Sequence, residues 1–124
     1  METLYQAAFD EALNAGFRPE QAEHLAKTYG KMVFGTDDAT VLRKRLAAEH
    51  NAIRARLRRS FPEISADTVR RAFREALLLV DAAGRAVEKE SSGKRIAEAL
   101  ARNHPGFPAT TYVKAIAHAR FVNR

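Results

Sequence analysis

Cysteine is missing from the sequence altogether. Its absence excludes disulfides, thiolate nucleophiles and sulfur-held zinc or iron–sulfur sites, and it fits a reducing compartment. Long apolar runs are missing too. The longest, residues 76–80, is far short of the ~20 residues that cross a bilayer. Met1-Glu2-Thr3 lacks the basic start of a secretory leader, so the chain is expected in the cytoplasm with no membrane partner. His24, His50, His104 and His118 are scattered, with no spacing that would ligate a metal, so neither a metal nor a cofactor is expected. There is also no strand signal to rival the helical ones, no internal repeat and no low-complexity stretch.

What is present is a globular balance: 124 residues, 46% hydrophobic and 29% charged. That length predicts one domain with a single core. The most apolar stretch, residues 72–84, predicts the helix around which the rest packs. At the helical period Val69, Phe73, Ala76, Leu77, Val80, Gly84 and Val87 share one face, while Leu78 and Leu79 fall on the flanks and back. This helix should therefore be covered on more than one side, by other helices or by a second copy. A monomer is favoured over a homodimer, because three other amphipathic segments need apolar partners.

Around that helix the pattern predicts five others. The first spans about 4–15, with Leu4, Tyr5, Ala8, Phe9, Ala12 and Leu13 on one face and Gly16 as its stop. The second opens at Pro19 and carries Ala22, Leu25, Ala26, Tyr29, Met32 and Val33 at helical spacing, with a weak point at Gly30 and an end at Gly35. The third, about 38–59 and capped by Thr36 or Asp37, has its stripe at Leu42, Leu46, Ile53 and Leu57, with His50 inside it as a core or boundary histidine. Phe61-Pro62 breaks the pattern. Ser65 then caps the central helix, and a connection that short makes the two an antiparallel hairpin. A fifth helix carries Ile96, Ala97, Leu100 and Ala101; a sixth starts near Thr110 and should bury Tyr112, Val113, Ile116, Ala117 and Phe121. The expected fold is all-α, a compact array of five to six helices on a central antiparallel hairpin. Its parts are acidic N-terminal helices over 1–36, a basic hairpin over 37–90 and a C-terminal helical pair over 91–124.

The charge map carries the functional expectation. Net charge is +6, with 15 arginines to 6 lysines. Residues 1–40 hold 3 basic and 7 acidic side chains, residues 41–74 hold 10 and 3, and residues 75–124 hold 8 and 5. Arg54, Arg56, Arg58 and Arg59 end the third helix while Arg70, Arg71 and Arg74 open the fourth, so an antiparallel hairpin brings them to one end. Arginines near a helix C-terminus suit its dipole, but arginines in the second turn gain nothing from it. They are a solvated face, partners of the acidic N-terminal helices, or a phosphate-binding patch.

Other motifs are weaker. Ser92-Gly93-Lys94 has the order of a phosphate-loop ending, but Glu88 stands where its first glycine belongs, Arg95 replaces the Ser/Thr, and no strand precedes it. A helix-turn-helix reading of the last two helices meets a connection too long and too proline-rich. Glu20, Glu23 and His24 share a turn, but acids are ordinary in a first helical turn. The sequence thus points to a non-catalytic subunit that binds DNA or RNA phosphates without reading sequence, alone or inside a larger nucleoprotein assembly, through Arg54, Arg58, Arg59, Arg70, Arg71 and Arg74. The alternative is a helical adaptor or inhibitor that docks its basic face on an acidic protein surface.

Overall fold

Residues 2–122 are described by the computed structural model, and they form an all-α fold with no strand among them. The helices are α1 (Leu4–Asn14), α2 (Ala22–Thr28), α3 (Gly30–Phe34), α4 (Ala39–Ser60), α5 (Ala66–Lys89), α6 (Gly93–Asn103) and α7 (Ala109–Val122), with a 3₁₀ turn at Pro19–Gln21 leading into α2. Short polar side chains start α1, α4, α5 and α6 by accepting N–H groups that have no helical partner. Thr3 and Gln6 form a capping box on α1. Ser65 caps α5 and Ser92 caps α6. The cap of α4 is Asp38, whose carboxylate takes the N–H groups of Thr40 and Val41, while the expected cap Thr36 instead accepts from Asp38 N–H.

α5 is the hub, contacted by α1, α4, α6 and α7. The main core joins Ala8, Phe9 and Ala12 of α1, Ile53 and Leu57 of α4, Ile96 and Leu100 of α6, and Tyr112, Ala115, Ile116 and Ala119 of α7 to α5. The buried line of α5 is Val69, Ala72, Phe73, Ala76, Leu79 and Ala83. Leu79, expected on the flank or back, is fully enclosed, whereas Leu77, Leu78, Val80, Gly84 and Val87 are only half-buried. The reason is the alanines. Ala72, Ala76 and Ala83 face helices that bring their own alanines, so backbones come close along a seam that side-chain hydrophobicity alone underweights. Leu79 is thus covered within the chain and is no exposed dimer face.

The α4–α5 pair meets near its 61–65 connection, where Ile53 and Leu57 join the main core. The first half of α4 packs elsewhere. Leu42 and Leu46 form a second small core with Ala22, Leu25 and Ala26 of α2. Between the two halves stands His50, 3% exposed, its ring edge-on to Phe73 with centroids 5.3 Å apart.

Two apolar expectations fail. The predicted second helix is a 3₁₀ turn followed by α2 and α3, and Gly30, with a left-handed φ of 48°, turns α3 aside from α2 and leaves Tyr29, Met32 and Val33 exposed. In α7, Val113 and Phe121 are exposed and so is Ala117, while Thr111, Ala115 and Ala119 take buried places beside Tyr112 and Ile116. Small side chains again set the seam. The Tyr112 hydroxyl fixes the turn before α7, donating to the His104 carbonyl at 2.7 Å and accepting from Phe107 N–H at 3.4 Å.

Candidate functional site

As α4 leaves α5 to pack on α2, the two helices open a groove of about 410 Å³. Ala47, His50 and Arg54 of α4 form one wall, Arg70, Phe73, Arg74, Leu77 and Leu78 of α5 the other, and Arg18, Pro19 and Glu20 close one end. The helical period puts Arg70 and Arg74 on one line of α5, one turn apart, facing Arg54. The lining is four arginines and one glutamate around an apolar floor.

Three of the four groove arginines, Arg54, Arg70 and Arg74, have a neutral partner, an exposed ion pair or no ion pair among the described residues. Arg54 is half-buried, hydrogen-bonds to Asn51, and has its guanidinium carbon 6.0 Å above the centre of the Phe73 ring. Burial lowers its pKa below the ordinary arginine value, and the like charge of Arg70 lowers it further. Arg70 bonds Asp67 at 2.8 Å, an exposed pair of the kind that contributes at most about 1 kcal/mol. Arg18 pairs with Asp81 of α5. Arg74 is exposed and makes no ion pair among the described residues.

His50 supports the wall. Its Nε2–H donates to the Phe17 carbonyl at 3.2 Å, which fixes the tautomer and ties the 17–20 segment to α4. Burial lowers its pKa most, and the Arg54 charge adds to that; the Phe17 bond and the charges of Glu20 and Glu49 pull the other way.

No family model, curated protein or solved structure matches the chain.

Of the six arginines expected to act together, the groove gathers Arg54, Arg70 and Arg74. Arg58 and Arg59 are exposed in the last turn of α4, with Arg58 one turn beyond Arg54 on the same side of the helix. Neither makes an ion pair among the described residues. Arg71 is exposed on the flank toward α1, beside Tyr5 and Glu75. The Tyr5 hydroxyl pKa is raised by burial first and by Glu75 next, with Arg71 opposing. Pairing to the acidic N-terminal helices does occur, but through Arg56, whose Nε and Nη2 both reach Oε2 of Glu11 at 3.1 and 3.0 Å.

Arg18 was not legible as part of this set. It belongs to the acidic third of the sequence, and only the return of the chain past α1 carries it to the groove. Other depressions offer less chemistry. One of about 470 Å³ between α1 and α7 is lined by Asp10 and Lys114, which already pair at 2.9 Å. One of about 530 Å³ along Ala97, Phe107, Tyr112 and Val113 is apolar, with Glu98 as its one charged residue. At the start of α7, Thr111 is buried and Lys114 is bound to Asp10, so little remains there to read base edges. Among the described residues no group of three His, Asp or Glu could hold a metal ion, and no helix is long and apolar enough to cross a membrane.

Proposed function

We propose that the protein is a non-catalytic binder of nucleic-acid phosphates, working through the groove arginines and the exposed arginines at the adjoining end of α4. The observation that carries this is the facing of Arg54 by Arg70 and Arg74 across one groove, with Arg18 at its end. Like charges held this close repel, and a phosphate seated between them turns that cost into attraction. Guanidinium groups suit the task because their planar fork donates two hydrogen bonds to one phosphate. Beyond the arginines the lining offers little for base edges, since His50 is committed to the Phe17 carbonyl and Glu20 stands at the end of the groove, so binding should be largely indifferent to sequence.

The test is the salt dependence of binding to random-sequence duplex DNA, measured by fluorescence anisotropy. Each neutralised phosphate adds about −0.9 to the slope of log affinity against log salt. Replacing exposed Arg58, Arg70 and Arg74 with glutamine should flatten the slope by about 2.7, so the variant loses about 40-fold less affinity than wild type between about 50 and 200 mM salt. Stability should barely move, since only the exposed Asp67 pair is lost. No binding to DNA or RNA at about 50 mM salt, where backbone contacts are strong, would overturn the proposal and leave an acidic protein surface as the partner of these arginines.

A further inference from the structure

The groove has a feature that phosphate binding does not use: its floor is apolar. Leu77 and Leu78 are half-buried there beside Ala47, and Phe73 closes the bottom beneath the Arg54 guanidinium. A duplex keeps its bases turned inward and stacked, and offers a groove of this kind only sugar and phosphate. Its apolar floor would stay facing water or lose water without gaining a partner. An unpaired strand is different. Each of its bases has two flat apolar faces that can leave the stack, and proteins that hold single strands combine a basic track with surfaces on which bases lie. Arginine planes serve as such surfaces as well as aromatic rings do.

Resting on the phosphate-binding reading, we infer that the groove takes an unpaired base of a single-stranded nucleic acid, with Arg70 and Arg74 on the flanking phosphates. The base lies on the Arg54 guanidinium, which itself sits over the Phe73 ring, and against Leu77 and Leu78. Three observations agree with this occupant. The volume of about 410 Å³ is in the range of sites that enclose a small ligand, and gives room for one base with its sugar. The lining presents a strong excess of positive charge together with apolar side chains. Arg58 continues the basic track outward from Arg54 along the same side of α4, which suits a polymer more than a free nucleotide. The Arg70–Asp67 ion pair does not block the site, because an exposed pair of that kind is cheaply exchanged for a phosphate, and the partly buried Arg18–Asp81 pair stands at the end of the groove and leaves its middle open.

The experiment compares four probes at equal salt by anisotropy: a mixed-sequence single strand, its duplex, the same single strand made abasic throughout, and a polyglutamate of equal charge. The single strand should bind about tenfold more tightly than the duplex, within the range expected for one seated base. The abasic strand, with its phosphates intact, should lose that advantage. Leu77→Ser with Leu78→Ser should also remove it while leaving the salt slope unchanged, and circular dichroism confirms that the variant is folded. Equal affinity for single strand and duplex with a steep salt slope would overturn this inference and leave phosphate binding standing. So would an abasic strand that binds as well as the intact one. Polyglutamate bound more tightly than either nucleic acid, or no nucleic-acid binding at all, would overturn both.

Discussion

Leu79 and Leu78 are adjacent leucines whose truncation should have very different consequences. Leu79 is 0% exposed on the seam of α5 that faces the main core. Leu79→Ala removes its side chain beyond Cβ and leaves a void, and buried leucine truncations cost about 2–5 kcal/mol depending on how far the surroundings collapse. Collapse is poor here. The other inward positions along this seam of α5 include Ala72, Ala76 and Ala83, and no alanine can reach into the void. The expected cost is therefore in the upper part of the range, about 3–5 kcal/mol. Leu78 is half-buried at the groove and loses mainly part of its transfer free energy, about 1 kcal/mol. In a domain of this size each kcal/mol lowers the melting temperature by about 4 °C, so Leu79→Ala should melt some 12–20 °C below wild type and Leu78→Ala about 4 °C below. Urea denaturation followed by circular dichroism gives both free energies directly. Equal costs at the two positions, or a Leu79→Ala cost near 1 kcal/mol, would refute the placement of the α5 seam.

Two further outcomes follow from the contacts. His50 has a folded-state pKa below its ordinary value, so the unfolded chain binds a proton more readily; the stability this neutral ring supports is complete above about pH 6.5 and falls as the pH drops from there to the lowered folded value. Urea midpoints measured across that interval should decline in wild type and flatten in a folded His50→Gln variant; parallel curves would count against a buried neutral His50. Tyr112→Phe should destabilise by about 1–2 kcal/mol, because the His104 carbonyl loses its 2.7 Å donor while the ring stays packed. An unchanged urea midpoint would show that the hydroxyl does not hold the turn before α7.

Local signals in the sequence determined most of the helices and several of their limits. Ser65 and Ser92 start helices because their hydroxyls can take an orphan N–H, and Gly35, at φ 74°, ends one because it adopts a left-handed backbone without a Cβ clash. The nearness of Arg54 to Arg70 was legible for a similar reason: they are sixteen residues apart with one short break between them, so chain connectivity alone keeps them close, whereas Arg58, Arg59 and Arg71 lie outside the groove. Tertiary structure decided the rest. Which side of α5 is buried depends on how nearly α1 and α7 approach, and that depends on alanines whose own hydrophobicity says little. Val113 and Phe121 stay exposed because α7 presents its small residues to α5. Arg18 reaches the groove through the path of the chain after α1, where the Phe17 carbonyl is anchored by His50, a contact thirty-three residues long that no local pattern encodes. The groove itself exists because α4 divides its apolar stripe between two cores, with Leu42 and Leu46 turned to α2 and Ile53 and Leu57 turned to α5. Periodicity shows that such a stripe must be covered, but only packing assigns each part of it a partner.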